Sequence, residues 1–149
     1  MAVQFNLLPL RILDYHFSEC SVTVIPPEKE DDTQYKISKE FSISTNFDVV
    51  PNSEEIARVR VCITLPNNPP EGELFNLYFN IDVVGLFENM SQNEKLAEVK
   101  DIVEINAAAI LVSAIRERLS VLTAGSPYGK YILPALSVSR VVEGNKSPQ

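Results

Sequence analysis

The sequence predicts an α+β fold, a four-stranded antiparallel sheet packed on one long C-terminal helix, and three observations predict it. Apolar and polar residues alternate with period two through the first two-thirds of the chain, the mark of half-buried strands. Turn-forming clusters rather than helical segments separate the alternating blocks, which favours antiparallel pairing in a meander. The apolar spacing then changes to the helical period after Ser91, supplying a cover for one sheet face.

The first strand is expected from about Phe5 to Ile25, with Arg11, Leu13, Tyr15 and Phe17 on one face and Cys20, Val22 and Val24 alternating against Ser21 and Thr23. So long a run predicts a bend or bulge near Ser18-Glu19. Pro9, which has no N–H to give a ladder, belongs at the strand's start or on an edge. The polar stretch from Pro26 to Asp32 reads as a solvent loop. The second strand sets Phe41, Ile43, Thr45, Phe47 and Val49 against Ser42, Ser44, Asn46 and Asp48, and the third sets Val59, Val61, Ile63 and Leu65 against Arg58, Arg60, Cys62 and Thr64. Turn formers fill Pro66 to Gly72. The fourth strand opposes Phe75, Leu77, Phe79, Ile81 and Val83 to Asn76, Tyr78, Asn80 and Asp82, then runs into Val84-Gly85-Leu86-Phe87.

Ser91 with Glu94 three residues on forms a capping-box pattern. Leu111, Ile115, Leu119 and Leu122 make one helical stripe, and Gly125 with Pro127 marks the stop. Between Ser91 and Thr123 the sequence accommodates one helix, or two with a hinge near Lys100-Asp101. From Ala107 to Ile115 the segment is apolar most of the way round, with charge delayed to Arg116. A helix apolar on both sides is buried on both. The second side therefore meets another subunit, through Ala108, Ile110, Leu111, Ile115 and Leu119, or is covered by the chain from Tyr128 to Val142 folding back. A single domain over residues 1–142 and a polar tail over 143–149 are expected.

Composition narrows the function classes. A net charge of −7 and a pI near 4.7 disfavour nucleic acid and anionic membrane surfaces as partners. The N-terminal run lacks the basic-then-apolar order of a signal peptide, and no apolar stretch approaches the ~20 residues of a membrane span, so a cytoplasmic protein is expected. Cys20 and Cys62 form no CxxC and read as two reduced, buried thiols. His16 is the one histidine, in a strand without a nearby nucleophile. One histidine and two cysteines do not make a zinc site, the acidic run Glu28 to Asp32 lacks calcium-loop spacing, and Gly125 to Gly129 lacks the Lys-Ser/Thr ending of a phosphate loop. No enzyme and no cofactor are expected. The chain offers instead aromatic and apolar side chains near turn-rich segments: Phe41, Phe47, Phe87, Tyr128, Tyr131 and Ile132 are candidates either for the core, as the strand period suggests for Phe47, or for a groove that holds unfolded polypeptide.

One group of residues carries a resemblance. Asn106, Ile110-Leu111 and Arg116-Glu117 match an Asn-Ile-Leu-x-x-x-x-Arg-Glu helix core, Gly85-Leu86-Phe87 resembles a Gly-Ile-Phe at the end of a last strand, and Leu133-Pro134 fits an extended loop. Together they resemble the bacterial export chaperone family SecB. Val112-Ser113-Ala114 replaces that family's Phe-Pro-Tyr, and Asn80 stands at one of its acidic strand positions. The resemblance implies an ATP-independent holdase for unfolded precursor polypeptides, a homotetramer built as a dimer of dimers with helices at the tetramer interface, and docking of the motor SecA on acidic sheet residues, here Asp14 and Glu19. SecB-like proteins also serve as chaperones of antitoxins, which is one alternative; a module binding a small apolar ligand is the other.

Overall fold

A computed structural model of the chain describes residues 9–91 and 93–138. Four strands, β1 (Leu10–Val24), β2 (Ser42–Val49), β3 (Ile56–Leu65) and β4 (Leu77–Asn89), are followed by one helix, α1 (Lys100–Thr123). All neighbours are antiparallel, but the spatial order is β1-β4-β3-β2. The expected simple meander holds for β2, β3 and β4 only; β1 lies beside β4, giving Greek-key order. The reason is the connection over residues 25–41, too long for a hairpin loop. Asn76 fixes that connection. Its Oδ1 accepts from Lys36 N–H at 2.7 Å, its Nδ2 donates to Gln34 C=O at 3.1 Å, and its backbone N–H donates to Lys36 C=O at 2.9 Å.

The core lies between one sheet face and the helix. Ala57, Val59, Val61, Ile63 and Leu65 from β3 and Leu77, Phe79, Ile81, Val83 and Phe87 from β4 are buried beneath Val103, Ala107, Ala108, Leu111, Val112, Ile115 and Leu119. Fully burying one such Leu or Ile side chain contributes about 1.5–3 kcal/mol. Gly85 sits at the closest approach: a Cβ there would lie 2.6 Å from the Phe87 ring and 3.0 Å from Leu111 Cδ2. The helix reaches that far down only because the position has no side chain.

β1 departs from strict alternation twice, with register shifts between Ile12 and Asp14 and between Phe17 and Glu19. The second matches the bulge expected near Ser18-Glu19. The first overturns the shared face of Arg11, Leu13, Tyr15 and Phe17: Arg11 pairs opposite Glu88 on the outer face, while Tyr15 and Phe17 sit opposite Gly85 and Val83 on the helix side. Of the expected strand start, Phe5 lies outside the described residues; Pro9 immediately precedes β1 and its carbonyl accepts from Met90 N–H at 2.8 Å.

The capping pair forms, with Ser91 Oγ accepting from Glu94 N–H at 3.2 Å, but it closes a turn rather than a helix. The α-helix begins at Lys100, where a hinge was one of the two expectations, and runs unbroken to Thr123. Its inward stripe ends on Thr123 instead of the expected Leu122, which is exposed. Thr123 Oγ1 donates to Leu119 C=O at 2.6 Å and accepts from Tyr131 N–H at 2.8 Å, so the buried position holds a hydroxyl that ties down the returning chain. Tyr131 and Leu133 enter the core, and Arg116 donates from Nε to Leu133 C=O at 3.1 Å and from Nη2 to Pro134 C=O at 3.4 Å. The chain therefore folds back against the end of the helix as far as residue 138, but Ile102, Ile110, Val121 and Leu122 stay exposed, so it does not supply the expected cover for the helix's second side. The boundary expected at 142/143 lies outside the described residues.

The cysteines differ from expectation. Cys20 is exposed and Cys62 half-buried, and both are free. Cys20 pairs opposite Ile81 and Cys62 opposite Asp82, neighbours on β4 whose side chains take opposite faces. The sheet itself separates the two thiols. Burial pushes the Cys62 thiol up.

Candidate functional site

Of the segments expected to supply a polypeptide groove, those carrying Phe41, Tyr128, Tyr131 and Ile132 meet at one end of the sheet. Phe47 and Phe87 lie toward the other, opposite Val59 and Ala57, and only some of these residues have surface to offer. Phe87 is fully buried under α1 and Tyr131 is 8% exposed, so both belong to the core and leave the expected groove. Their place in the strand period and beneath the Thr123 hydroxyl decides this: each fills space between helix and sheet. Phe41 and Phe47 are half-buried against the same core, Tyr128 is half-buried, and Ile132 is 59% exposed.

What the residues build is a ledge of rings. Phe41 contacts Phe79 at a centroid distance of 6.4 Å, Phe79 contacts Tyr131 at 6.0 Å, Tyr131 contacts Tyr35 at 5.6 Å, and Tyr35 contacts Tyr128 at 5.0 Å. Each lies in the range where edge and offset contacts of aromatic rings are favourable. The hydroxyls anchor the ledge: Tyr128 donates to Ile25 C=O at 2.6 Å, and Tyr35 donates to Gly129 C=O. Burial pushes the Tyr131 phenol up to about 12. Beside the rings, Ile132 and Leu74, the latter 70% exposed, stand out into solvent. A cleft of about 420 Å³ runs under Leu74, lined by Lys36, Gly72, Glu73 and Phe75. Tyr35 and Leu74 escape a reading of the sequence because each lies just outside a strand's alternation, Tyr35 in the long polar connection before the second strand and Leu74 out of phase with the Phe75-Leu77-Phe79 face.

A second apolar region lies at the opposite sheet edge. α1 covers β3 and β4 and leaves only part of the helix-side face of β1 open: Leu10, Phe17, Val22 and Val24 are half-buried against the core, while Ile12 and Tyr15 remain exposed. An open cleft of about 180 Å³ between β1 and α1 is lined by Tyr15, Phe17, Ala114, Glu117, Arg118 and Val121, with the Arg118 guanidinium 4.6 Å over the Phe17 ring. On the helix, Ile102, Ile110, Val121 and Leu122 are exposed. Of the five residues expected at a subunit interface, Ile110 faces outward. Ala108, Leu111, Ile115 and Leu119 are fully buried in the chain's own core, because the sheet-facing stripe and the expected interface stripe are the same stripe.

The outer sheet face is polar. Arg60 grips the buried Asp82 carboxylate through Nε at 2.8 Å to each oxygen and through Nη2, and this hydrogen bonding raises the guanidinium further. Arg58 pairs with Asp48 and Arg11 with Glu88 on the same face. Asp14 and Glu19 are exposed there, opposite Leu86 and Asp82, and His16 is exposed opposite Val84. Among the described residues, no group of three or more His, Cys, Asp or Glu side chains is placed to hold a metal, and no helix is long and apolar enough to cross a membrane.

A SecB-like chaperone of Mycobacterium tuberculosis, solved in complex with a ChAD peptide from the HigA1 antitoxin, superposes on this structure with a TM-score of 0.61. The match covers 86% of this chain and 91% of that one at 16% identity. The fold is SecB-like. A protein of unknown function from Streptococcus agalactiae superposes at a TM-score of 0.45 and 9% identity, over 87% of this chain and 100% of that one. No protein-family profile and no curated protein matches the sequence. Within the SecB-like fold, the motif residues acquire physical roles: Gly85 admits Leu111, and Arg116 holds the Leu133-Pro134 carbonyls.

Proposed function

We propose that this protein is an ATP-independent chaperone that holds unfolded polypeptide in extended form along the aromatic ledge, with no chemistry of its own. The observation that carries the reading is the ledge with its exposed apolar margin: Tyr35 and Tyr128 presenting ring surface, Ile132 and Leu74 projecting beside them, on a SecB-like fold. Apolar burial is non-directional and contributes roughly 25 cal/mol per Å², so such a surface accepts many sequences. Binding the unfolded state preferentially delays folding by mass action without nucleotide. Phe41, Phe47, Tyr128 and Ile132 remain the groove residues of this reading, joined by Tyr35 and Leu74.

The clients are precursor proteins for export or a disordered antitoxin; the antitoxin peptide bound by the Mycobacterium tuberculosis relative favours the second. The protein works in the cytoplasm as a homotetramer, a dimer of dimers assembled through the uncovered β1 and the outward side chains Ile102, Ile110, Val121 and Leu122. Asp14 and Glu19 are the positions at which SecA would dock. A small apolar ligand is the weaker reading, since the cleft beside β1 and the cleft under Leu74 are open rather than enclosed.

Suppression of aggregation of a denatured, slow-folding client, without ATP and with solution mass measured by light scattering, tests the proposal. The wild type is expected to suppress near stoichiometric ratio as a tetramer, and a folded Leu74→Ser, Ile132→Ser double variant to lose most of that activity. Full suppression by the double variant would move the binding surface elsewhere; no suppression by the wild type would end the chaperone reading.

A further inference from the structure

Beyond the helix stop the chain turns at Gly129, whose φ of 79° lies in the left-handed region that a side chain resists. It then runs to Ser137 without joining the sheet or forming a helix. Backbone groups drawn away from water need partners, and a segment outside any ladder must find them among side chains. Two other parts of the fold supply them. Tyr35, on the crossover between β1 and β2, donates its hydroxyl to Gly129 C=O. From α1, Thr123 Oγ1 accepts the Tyr131 N–H at 2.8 Å, and Arg116 donates from Nε to Leu133 C=O at 3.1 Å and from Nη2 to Pro134 C=O at 3.4 Å. Thr123 and Arg116 lie two helical turns apart on one face of α1, so the segment runs back along the helix between two clamps.

The residue between the clamps is Ile132. Successive side chains of an extended chain point to opposite sides. Tyr131 and Leu133 are buried as pegs in the core, and Ile132 between them is turned outward, 59% exposed. One clamp falls on the amide before it and the other on the carbonyls after it. Its direction is therefore fixed by the folded protein itself. Arg116 suits this task because its planar guanidinium offers several N–H groups in a rigid arrangement, where a lysine ammonium is a point charge on a flexible stem.

We propose that Arg116 is a positioning residue of the client surface: its bonds to the Leu133 and Pro134 carbonyls set the backbone direction from which Ile132 projects. This deepens the chaperone reading and rests on it. Ordering a flexible segment costs conformational entropy, and here that cost falls on folding rather than on binding. A client that must itself be ordered then meets an apolar contact already in place.

The test is a double-mutant cycle read by affinity for fluorescein-labelled ribonuclease A, reduced and carboxamidomethylated so that it stays unfolded. Arg116→Met keeps an apolar stem and removes the donors, and Ile132→Ser removes the displayed side chain. If Arg116 acts through Ile132, the two losses do not add: Arg116→Met is expected to weaken binding about fivefold in the otherwise native chain and less than about twofold once Ile132 is serine. Backbone order parameters should fall at Ile132 and Leu133 in the methionine variant and hold at Val61 and Val83 in the sheet, which a general loosening of the fold would not spare. Should that variant fail to fold, Arg116→Lys takes its place in the same cycle. Equal losses in both backgrounds, or binding unchanged by the Arg116 substitution, while Ile132→Ser still weakens binding, would overturn the positioning role and leave the ledge standing. An Ile132→Ser chain that binds as tightly as wild type would overturn the ledge as the client surface, and this proposal with it.

Discussion

Replacing Thr123 with valine removes one hydroxyl from a fully buried position and nothing else of comparable size. In the wild type that oxygen accepts the Tyr131 N–H at 2.8 Å and donates to Leu119 C=O at 2.6 Å. The Leu119 carbonyl keeps its place at the end of the helical ladder, so its loss is minor. The Tyr131 N–H is different: it is buried, and valine gives it no acceptor. A buried donor left unsatisfied costs about 1–3 kcal/mol. For a chain this size, each kcal/mol lowers Tm by about 2–4 °C. The same bond tethers the segment that carries Tyr131 and Ile132, so the amide of Tyr131 should exchange faster and client retention should weaken with it. Thermal unfolding followed by circular dichroism, with amide exchange at Tyr131, measures both. Thr123→Ser serves as the control, since it keeps the hydroxyl and loses only a methyl. A valine variant as stable as wild type, with unchanged exchange at Tyr131, would refute the role given to this oxygen.

Gly85→Ala is expected to cost about 1–3 kcal/mol in urea unfolding, because the new methyl meets Phe87 at 2.6 Å and Leu111 at 3.0 Å in a packed core. Ala108→Glu should unfold the chain rather than dissociate folded subunits. The position is fully buried between helix and sheet, and an unpaired charge there costs more than about 3 kcal/mol; a folded monomer by light scattering would contradict this. Stability should fall as pH rises from about 10 towards about 12. The unfolded chain releases the Tyr131 proton near the ordinary value while the buried phenol, pushed up to about 12, keeps it, so the stabilisation present below pH 10 is lost across that window. Tyr131→Phe should flatten the decline in alkaline urea titrations.

The parts of the fold legible in the sequence are those where one periodicity governs one surface. β3 and β4 alternate cleanly because one of their faces is covered by the helix, and Leu111, Ile115 and Leu119 keep the helical period for the same reason. Legibility ends where two demands fall on one residue. The register shift after Ile12 moves Tyr15 to the helix side without disturbing local composition, and alternation carries no record of such an insertion. Thr123 rather than Leu122 continues the inward row of Leu111, Ile115 and Leu119 at a spacing of four, and its hydroxyl is satisfied there by Leu119 C=O and Tyr131 N–H. The breadth of the apolar helix face was visible, yet Ala108, Leu111, Ile115 and Leu119 went to the sheet, leaving Ile110 with Ile102, Val121 and Leu122 on the outside. The ledge was legible only in part. Tyr128 and Ile132 follow a recognisable helix stop, whereas Tyr35 joins them through a crossover whose path depends on Asn76, a residue whose role no local pattern announces.

The placement of β1 beside β4 also sets the order in which the chain can assemble itself. The N-terminal strand leaves the ribosome first, but Leu10 waits for Asn89, and Val24 for Leu77, before either has a partner. β2, β3 and β4 close through nearby turns and need no such delay. Long-range pairing requires the cost of loop closure before any contact repays it, so docking of β1 should be the late step of folding. Substitutions in β1 should accordingly accelerate unfolding and leave the refolding rate almost unchanged, while substitutions in the β3–β4 hairpin slow refolding. Until that last strand docks, the nascent chain carries its own aggregation-prone segment, with Ile12, Leu13 and Tyr15 among its exposed side chains even in the finished fold.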